Sequence, residues 1–155
     1  MQQEQFAEVL SYQIPDEVDL VKKYPILHPT TNHSEIANEM HAAIVAEFDA
    51  WNQGYDAWAA QADKFYVANA ACTTAQDQTL ALDAYKSLVK TWIEDEETKK
   101  LYFDSMLLSG DWAAIHYRTV SKNAETGEAE AGDRMQFLHF VKTEDGVKVD
   151  ASWMK

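Results

Sequence analysis

MQFLHFVKTEDGVKVDASW, residues 135 to 153, predicts a β-hairpin at the centre of a sheet. Two runs rich in apolar and aromatic residues flank Glu144-Asp145-Gly146, which is typical of a tight turn between antiparallel strands. The first run has an apolar or aromatic residue at nearly every position, so it predicts a strand that is covered on both faces. Such a strand lies in the interior of a sheet, with helices packed on one side.

Helical patterns dominate the chain before this hairpin, and strand patterns follow them. Gly54 is placed to end a first helix expected over 34–53. The apolar stripe of that helix consists of Ile36, Met40, Ile44, Phe48 and Trp51. The other expected elements are a helix over 55–62, a strand over 64–72, a helix capped at Asp77 or Thr79, strands over 100–109 and 112–122, and a loop over 123–133. Helices segregated from a run of hairpins predict an α+β fold with a mostly antiparallel sheet.

The composition indicates one globular domain and excludes several classes of function. The chain has 155 residues, 46% of them hydrophobic and 12% aromatic. A formal net charge of −13 argues against binding to nucleic acid or to anionic membranes. Cys72 is the single cysteine, which excludes an internal disulfide and fits the cytoplasm. No apolar run is long enough to span a membrane, and the first ten residues lack the features of a secretion signal.

Residues 1–33 are expected to form an N-terminal extension that packs on the body of the protein. A short helix is expected to end before Pro15, and Pro25 and Pro29 favour an extended path through YPILHPTTN, residues 24–32. It would serve as a surface strap or as a lid over a pocket mouth. The five histidines show no spacing of the zinc-hydrolase kind, so we expect no metal ion and no cofactor.

Four patches resemble the SnoaL-like group of the nuclear transport factor 2-like superfamily. They are AEFDAWNQGYDAW (46–58), ADKFYVANA (62–70), MLLSGDWAAIHYR (106–118) and FLHFVKTEDGVKVDASW (137–153). All four are packing and turn patterns, so they specify a fold better than an activity. The resemblance covers residues 34–155 and implies a curved, cone-shaped sheet wrapped around helices. In that superfamily the cone often holds a ligand and its outer sheet face often makes a dimer. Members include polyketide cyclases, ketosteroid isomerases and scytalone dehydratase, as well as modules without catalysis.

Strand alternation assigns side chains to the two faces of this cone. In the strand over 112–122, the inward set is Ala113, Ile115 and Tyr117, and the outward set includes His116 and Arg118. By comparison with the family, the next strand points Gln136, Leu138 and Phe140 inward, and Met135, Phe137, His139 and Val141 outward. An outward row this apolar predicts a homodimer through the outer face, involving His116, Arg118, Phe137 and His139.

The resemblance also places the catalytic positions of the ketosteroid isomerases on this chain. The base position falls on Asn69, the acid position on Gln136 and the tyrosine position on Glu47. An amide cannot abstract a proton from carbon, so the isomerase mechanism is not expected here. Asn69 and Gln136 would instead orient a ligand carbonyl or complete a buried polar network.

Two functional hypotheses remain open. In the first, the cone of a small-molecule enzyme of the cyclase, dehydratase or isomerase kind uses Asp104 or Glu47 to handle a proton. The aromatic residues expected to hold its hydrophobic or aromatic ligand are Trp58, Trp92, Tyr117, Phe140 and Trp153. In the second, the protein is a non-catalytic binding or dimerisation module, and the same aromatics fill the cone. An ionisable group inside the cone, for which Asp63 is a further candidate, would favour the enzyme.

Overall fold

The computed structural model describes residues 35–95, 100–123 and 125–155, so the predicted N-terminal extension over 1–33 and the Ser34 cap lie outside it. Three helices and six strands form the described part of the chain. They are α1 (Glu35–Asn52), α2 (Tyr55–Phe65), β1 (Tyr66–Thr73), β2 (Thr79–Ala81), α3 (Leu82–Lys90), β3 (Lys100–Ser109), β4 (Trp112–Lys122), β5 (Ala129–Thr143) and β6 (Gly146–Met154). A single π-helical turn, Thr91–Asp95, extends α3.

Helix α1 packs its apolar stripe against the inner face of the sheet. Met40, Ile44 and Phe48 recur every four residues, and each is buried. Gly54 has a φ of 113°, a value that glycine tolerates without strain, and α1 ends just before it, as predicted. The side chain of Asn52 joins the helix to β3. Its Nδ2 donates to the carbonyl of Leu101 over 2.8 Å, and its Oδ1 accepts from the amide of the same residue over 2.9 Å.

The six strands form one sheet in the order β2-β1-β6-β5-β4-β3. The β1–β6 pair is parallel and the other pairs are antiparallel, so the mostly antiparallel prediction is confirmed. Strand β5 lies between β6 and β4, in the sheet interior as predicted. The prediction that both faces of β5 are covered was wrong for a single copy of the protein. Helices cover one face, whereas Met135 and Phe137 on the other face are exposed.

Irregular pairing interrupts the alternation in three strands. The register between β3 and β4 shifts between Phe103 and Ser105, which makes Asp104 the extra residue of a bulge. The register between β5 and β6 shifts between His139 and Phe140, and there Asp150 is the extra residue. Strand β1 also shifts against β6, between Tyr66 and Ala71. Each shift changes which side chains face the helices.

Several element boundaries differ from the prediction. Helix α2 continues to Phe65, so β1 begins only at Tyr66. Residues Thr79–Ala81 pair with β1 as a short edge strand, where the sequence suggested the cap of a helix. Strand β5 begins at Ala129, which leaves a shorter connection after β4 than expected. No helix in the described residues is both long and apolar enough to cross a membrane.

Candidate functional site

Glu47 is a buried carboxyl group on the sheet-facing side of α1. Its relative exposure is 5%, and the indole nitrogen of Trp58 donates a hydrogen bond to its Oε1 over 2.7 Å. Burial raises the pKa of Glu47 to about 7, although the hydrogen bond from Trp58 acts in the opposite direction. At neutral pH this carboxyl group is therefore divided between its neutral and charged forms, which suits proton transfer.

Three tyrosines from three different elements share the interior with Glu47. Tyr66 is on β1, Tyr85 is on α3 and Tyr117 is on β4, and all three are buried. Burial raises the pKa of each hydroxyl above its ordinary value, and the nearby Glu47 charge raises it further. All three hydroxyls therefore stay protonated at neutral pH and keep a proton that they can donate. The thiol of Cys72 is buried in the same region, and burial raises its pKa to about 11, so it is not a nucleophile.

A pocket of about 150 Å³ opens beside Tyr117. Its lining comes from the turn after β1, the π-helical turn and strands β4, β5 and β6. The lining residues are Ala75, Gln76, Trp92, Tyr117, Thr119, Arg134 and Met154. An apolar cavity of roughly this volume holds a molecule the size of benzene. The pocket therefore fits one ring with small substituents.

Tyr117 connects this pocket with the buried carboxyl group. Its side chain lines the pocket, and its ring meets the edge of Phe48, the residue after Glu47, with centroids 5.1 Å apart. Arg134 stands opposite Tyr117 in the β4–β5 register and lowers the pKa of the tyrosine, against the larger effect of burial. The pKa of the Tyr117 hydroxyl is therefore raised by the charge of Glu47 and lowered by the charge of Arg134.

The outer face of the sheet carries two histidines, each placed between two aspartates. In the His116 cluster, Nδ1 of His116 lies 2.5 Å from Oδ2 of Asp104, and its Nε2 lies 3.5 Å from Oδ1 of Asp133. Asp104 is the bulge residue of β3, and its relative exposure of 5% makes it a buried acid on this face. Asp133 also contacts Arg118, whose Nε lies 3.5 Å from the same Oδ1.

The His139 cluster repeats this arrangement one strand away. Nδ1 of His139 lies 2.6 Å from Oδ1 of Asp150, the bulge residue of β6. Its Nε2 lies 2.9 Å from Oδ2 of Asp111. The hydrogen bond to Asp150, followed by that to Asp111, raises the pKa of His139 above its ordinary value against the effect of burial. Among the described residues, no three His, Cys, Asp or Glu side chains are arranged to hold a metal ion.

Most of the residues that the sequence assigned to the interior do lie there. Trp92 and Tyr117 line the pocket. Trp58 and Phe140 are fully enclosed, and Phe140 meets the ring of Phe65 edge-on at 5.9 Å. The two aromatic residues therefore form core rather than pocket lining. Gln136, 6% exposed, is buried on the inner face of β5, opposite Met154.

Four predicted placements need correction. Asn69 is exposed, because β1 pairs irregularly with β6 around it. Trp153 lies on the outer face, where the bulge at Asp150 has reversed the phase of β6. There it stacks on Trp112 with centroids 5.6 Å apart. Asp104 is buried as the enzyme hypothesis required, but it faces His116 outside the cone.

Asp63 is the fourth correction. Its side chain is exposed and forms an ion pair with Lys86 of α3. His116 and His139 do not stand opposite each other. In the β4–β5 register His116 pairs with Met135 and His139 pairs with Trp112.

Three residues of the site were missed from the sequence. Arg134 has the same parity as Gln136 in β5, so alternation already indicated its inward direction. Tyr85 belonged to the apolar stripe of the third helix, where nothing in the spacing marked it as a neighbour of a carboxyl group. Tyr66 is the first residue of β1, whereas the sequence predicted a strand that begins at residue 64, because α2 was expected to end three residues earlier.

Solved structures with this architecture have low sequence identity to the chain. A SnoaL-like polyketide cyclase candidate from Jannaschia sp. CCS1 matches with a TM-score of 0.67 at 12% identity, covering 80% of this chain and 89% of that chain. A ketosteroid isomerase-like protein from Erwinia carotovora atroseptica gives 0.56 at 16%, covering 79% and 96%. A nuclear transport factor 2-like protein from Salmonella enterica serovar Typhimurium gives 0.64 at 8%, covering 77% and 89%. No protein-family model and no curated protein matches the chain.

At these identities the matches establish the fold and leave the activity open. They agree with the order of elements, with the mixed six-stranded sheet and with the helices on one of its faces. The chain therefore has the cone-shaped α+β fold of the nuclear transport factor 2-like superfamily, which its four sequence patches had implied.

Proposed function

We propose that the protein binds a small ring-containing molecule in the pocket beside Tyr117 and catalyses proton transfer at an oxygen of that molecule. The observation that carries this proposal is Glu47, a fully enclosed carboxyl group whose pKa burial raises to about 7. An unpaired buried acid is costly to the fold, and such groups cluster at functional sites. Its position next to a pocket-lining tyrosine supports a role in catalysis.

In the proposed reaction Tyr117 is the group that meets the ligand. Its protonated hydroxyl donates to a carbonyl or leaving-group oxygen, and the proton that it gives up is replaced from neutral Glu47. For a ketone, water removes the proton on the adjacent carbon, and the product is the enol. Gln136 supplies a further buried polar group, opposite Met154 of the pocket lining. The carboxylate left on Glu47 then recovers a proton from solvent.

Deuterium exchange tests this reaction without knowledge of the natural substrate. Phenylacetone and related single-ring ketones would be incubated with the protein in heavy water, and NMR would follow incorporation of deuterium next to the carbonyl. We expect wild-type protein to accelerate exchange below pH 7 and to lose activity as the pH rises through 7, because Glu47 then ionises. Glu47→Gln should exchange roughly 10²- to 10⁴-fold more slowly.

Glu39→Gln is the matched control for that experiment. It removes a carboxyl group from the same helix, two turns before Glu47, and leaves the buried site intact. Exchange by Glu47→Gln at the wild-type rate would eliminate the proposed acid. A wild-type protein no faster than buffer across the ketone panel would leave only the binding role.

We also propose a homodimer through the outer sheet face, because a specific patch favours it. Across the described residues, the exposed large hydrophobic side chains are Leu107, Trp112, Met135 and Phe137. All four belong to the outer face. Strand pairing aligns Leu107 with Ala114, Ala114 with Phe137, and Phe137 with Trp153, so one apolar row crosses four strands. Burying that row against a second copy would remove it from water.

Phe137→Asp tests the dimer by light scattering after size-exclusion chromatography. We expect wild-type protein at twice the mass of the chain and Phe137→Asp at the mass of one chain. Because each copy carries a net charge of −13, added salt should strengthen the wild-type dimer. Ala84→Asp on the exposed side of α3 adds the same charge elsewhere and should leave the dimer intact. A monomeric wild-type protein at high salt would contradict the proposal.

We further propose that the protein acts in the cytoplasm. This proposal is supported by Cys72, which is free and buried and so fits a reducing compartment.

A further inference from the structure

Arg134 is a cation of the pocket lining without an acidic partner among the described residues. Its Nη1 donates to the backbone carbonyl of Asp133 over 3.2 Å, and no carboxylate of the described part lies within ion-pair distance of it. Arg118 and Arg134 are the two arginines of the chain, and Arg118 differs from Arg134 in having Asp133 as an acidic partner. Arg134 therefore retains guanidinium donors for a ligand.

The neighbouring acid is unavailable because of strand alternation. Asp133 precedes Arg134 in β5, so its side chain points to the opposite face of the sheet. On that face it contacts Arg118 and His116. Arg118 is thus paired with an acid outside the cone, whereas Arg134 faces the pocket.

The rest of the lining describes the body of the ligand. Trp92 and Met154 supply flat or adaptable apolar surface, and Gln76 and Thr119 supply uncharged polar groups. The volume of about 150 Å³ is well below that of pockets for drug-sized ligands, which begin near roughly 300 Å³. The volume matches one aromatic ring with a short substituent.

We propose that this pocket binds a single-ring aromatic carboxylate, with Arg134 as the counter-ion of the ligand's carboxylate. The ligand's ring lies against Trp92 and Met154. The ketone on the short chain attached to the ring accepts a hydrogen bond from the hydroxyl of Tyr117. This inference rests on the proposed function and narrows its substrate class to aryl keto acids. The negative charge of the whole protein opposes entry of an anion, so the preference for the acid must come from the local contact with Arg134.

Phenylpyruvate and its methyl ester are the probes, because they share one ring and one ketone and differ in the charge. Titration calorimetry at physiological salt gives the affinity of each. We expect wild-type protein to prefer the acid roughly 10- to 100-fold, the contribution of a charged hydrogen-bonded pair. Arg134→Gln should bring that preference to within about twofold, and Arg134→Lys should keep part of it, since the charge remains without the bidentate fork.

Lys142→Gln is the matched control. It removes the same charge from the same strand, eight residues and about 26 Å from Arg134, and should leave the preference unchanged. Near-ultraviolet circular dichroism of each variant verifies that the fold is retained. Equal affinity of wild-type protein for acid and ester would overturn the inference, as would an unchanged preference in Arg134→Gln or no binding of either probe.

Deuterium exchange separates this inference from the proposed function. Exchange of neutral single-ring ketones together with no preference for the acid would overturn the role of Arg134 and keep the proton transfer. Binding of phenylpyruvate that depends on Arg134, with no exchange by wild-type protein, would keep the carboxylate site and remove the catalytic role of Glu47.

Discussion

The acidic residues on the two sides of the sheet lie in different environments. On the inner face Glu47 is enclosed by aromatic side chains and has one neutral hydrogen-bond donor, Trp58. On the outer face Asp104 and Asp150 each lie beside a histidine. Burial without a cation raises the pKa of Glu47 to about 7, whereas Asp150 and, to a smaller extent, Asp111 raise the pKa of His139. The inner face thus keeps a carboxyl group that titrates near neutral pH, whereas each of these two outer-face acids lies within hydrogen-bond distance of a histidine.

This contrast indicates different roles for the two faces. A buried carboxyl group that titrates near neutral pH is suited to proton transfer and lowers the stability of the fold once it ionises. A histidine between two aspartates makes a rigid polar cluster beside an exposed apolar row, which suits an interface. Three variants test whether the two faces differ as strongly as their environments suggest.

Trp58→Ala should have the largest effect on stability. The indole is fully buried, contacts the rings of Trp51 and Tyr85, and supplies the hydrogen bond to Glu47. Its removal leaves a cavity and an unpartnered acid, so we expect a loss of about 3–5 kcal/mol in the free energy of unfolding by urea. Trp112→Ala removes a half-exposed indole from the outer face and should cost less than about 1.5 kcal/mol. Equal losses would contradict the contrast between the faces.

Glu47→Gln should change how stability depends on pH. The folded pKa of about 7 exceeds the ordinary value of 4.5, so the unfolded chain releases this proton at lower pH than the folded chain does. Wild-type protein therefore loses stability from this group as the pH rises from 4.5 to 7, by about 3 kcal/mol in total. The free energy of unfolding of the glutamine variant minus that of wild type should therefore be larger at pH 8 than at pH 4.5, by up to that amount. Urea unfolding at both values measures it, and a difference that is independent of pH would refute the raised pKa.

Asp150→Asn should produce the smallest effect, confined to the outer face. It removes the largest cause of the raised pKa of His139, so NMR titration of that imidazole should show a lower pKa. A raised histidine pKa stabilises the fold below its ordinary value of 6.5 and loses that contribution as the pH rises through the folded pKa. The variant should therefore be less stable at pH 6, by less than about 1 kcal/mol, and nearly equal to wild type at pH 9. Asp111→Asn should lower the pKa less. An unchanged pKa of His139 in both variants would contradict the proposed effect of the two aspartates on this histidine.

The regular parts of the fold were predictable from local patterns. The four-residue spacing of Met40, Ile44 and Phe48 gave α1, and strict alternation in β4 gave the inward direction of Ile115 and Tyr117. These signals suffice because burial on one face imposes a period on the sequence. The edge strand β2 was missed, since three residues carry no period and pair only because β1 lies beside them.

The site was predictable only where the alternation holds. Regular alternation from Val149, which faces inward, would place Trp153 inside the cone. The bulge at Asp150 shifts the alternation by one residue, so Trp153 faces outward. No local signal marks a bulge, because it depends on the partner strand that supplies His139. The buried position of Glu47 followed from the family resemblance, whereas its pKa depends on Trp58, which is eleven residues away along the chain.

The two bulges also affect how this protein should be aligned with others of its shape. Asp104 and Asp150 are surplus to the pairing, so deletion of either codon would leave every flanking side chain on its present face. A lineage could therefore gain or lose either acid through a single in-frame deletion, without repacking the core. In a structure-guided alignment, relatives without a histidine at the position of His116 should have a gap at Asp104, and those without one at the position of His139 should have a gap at Asp150.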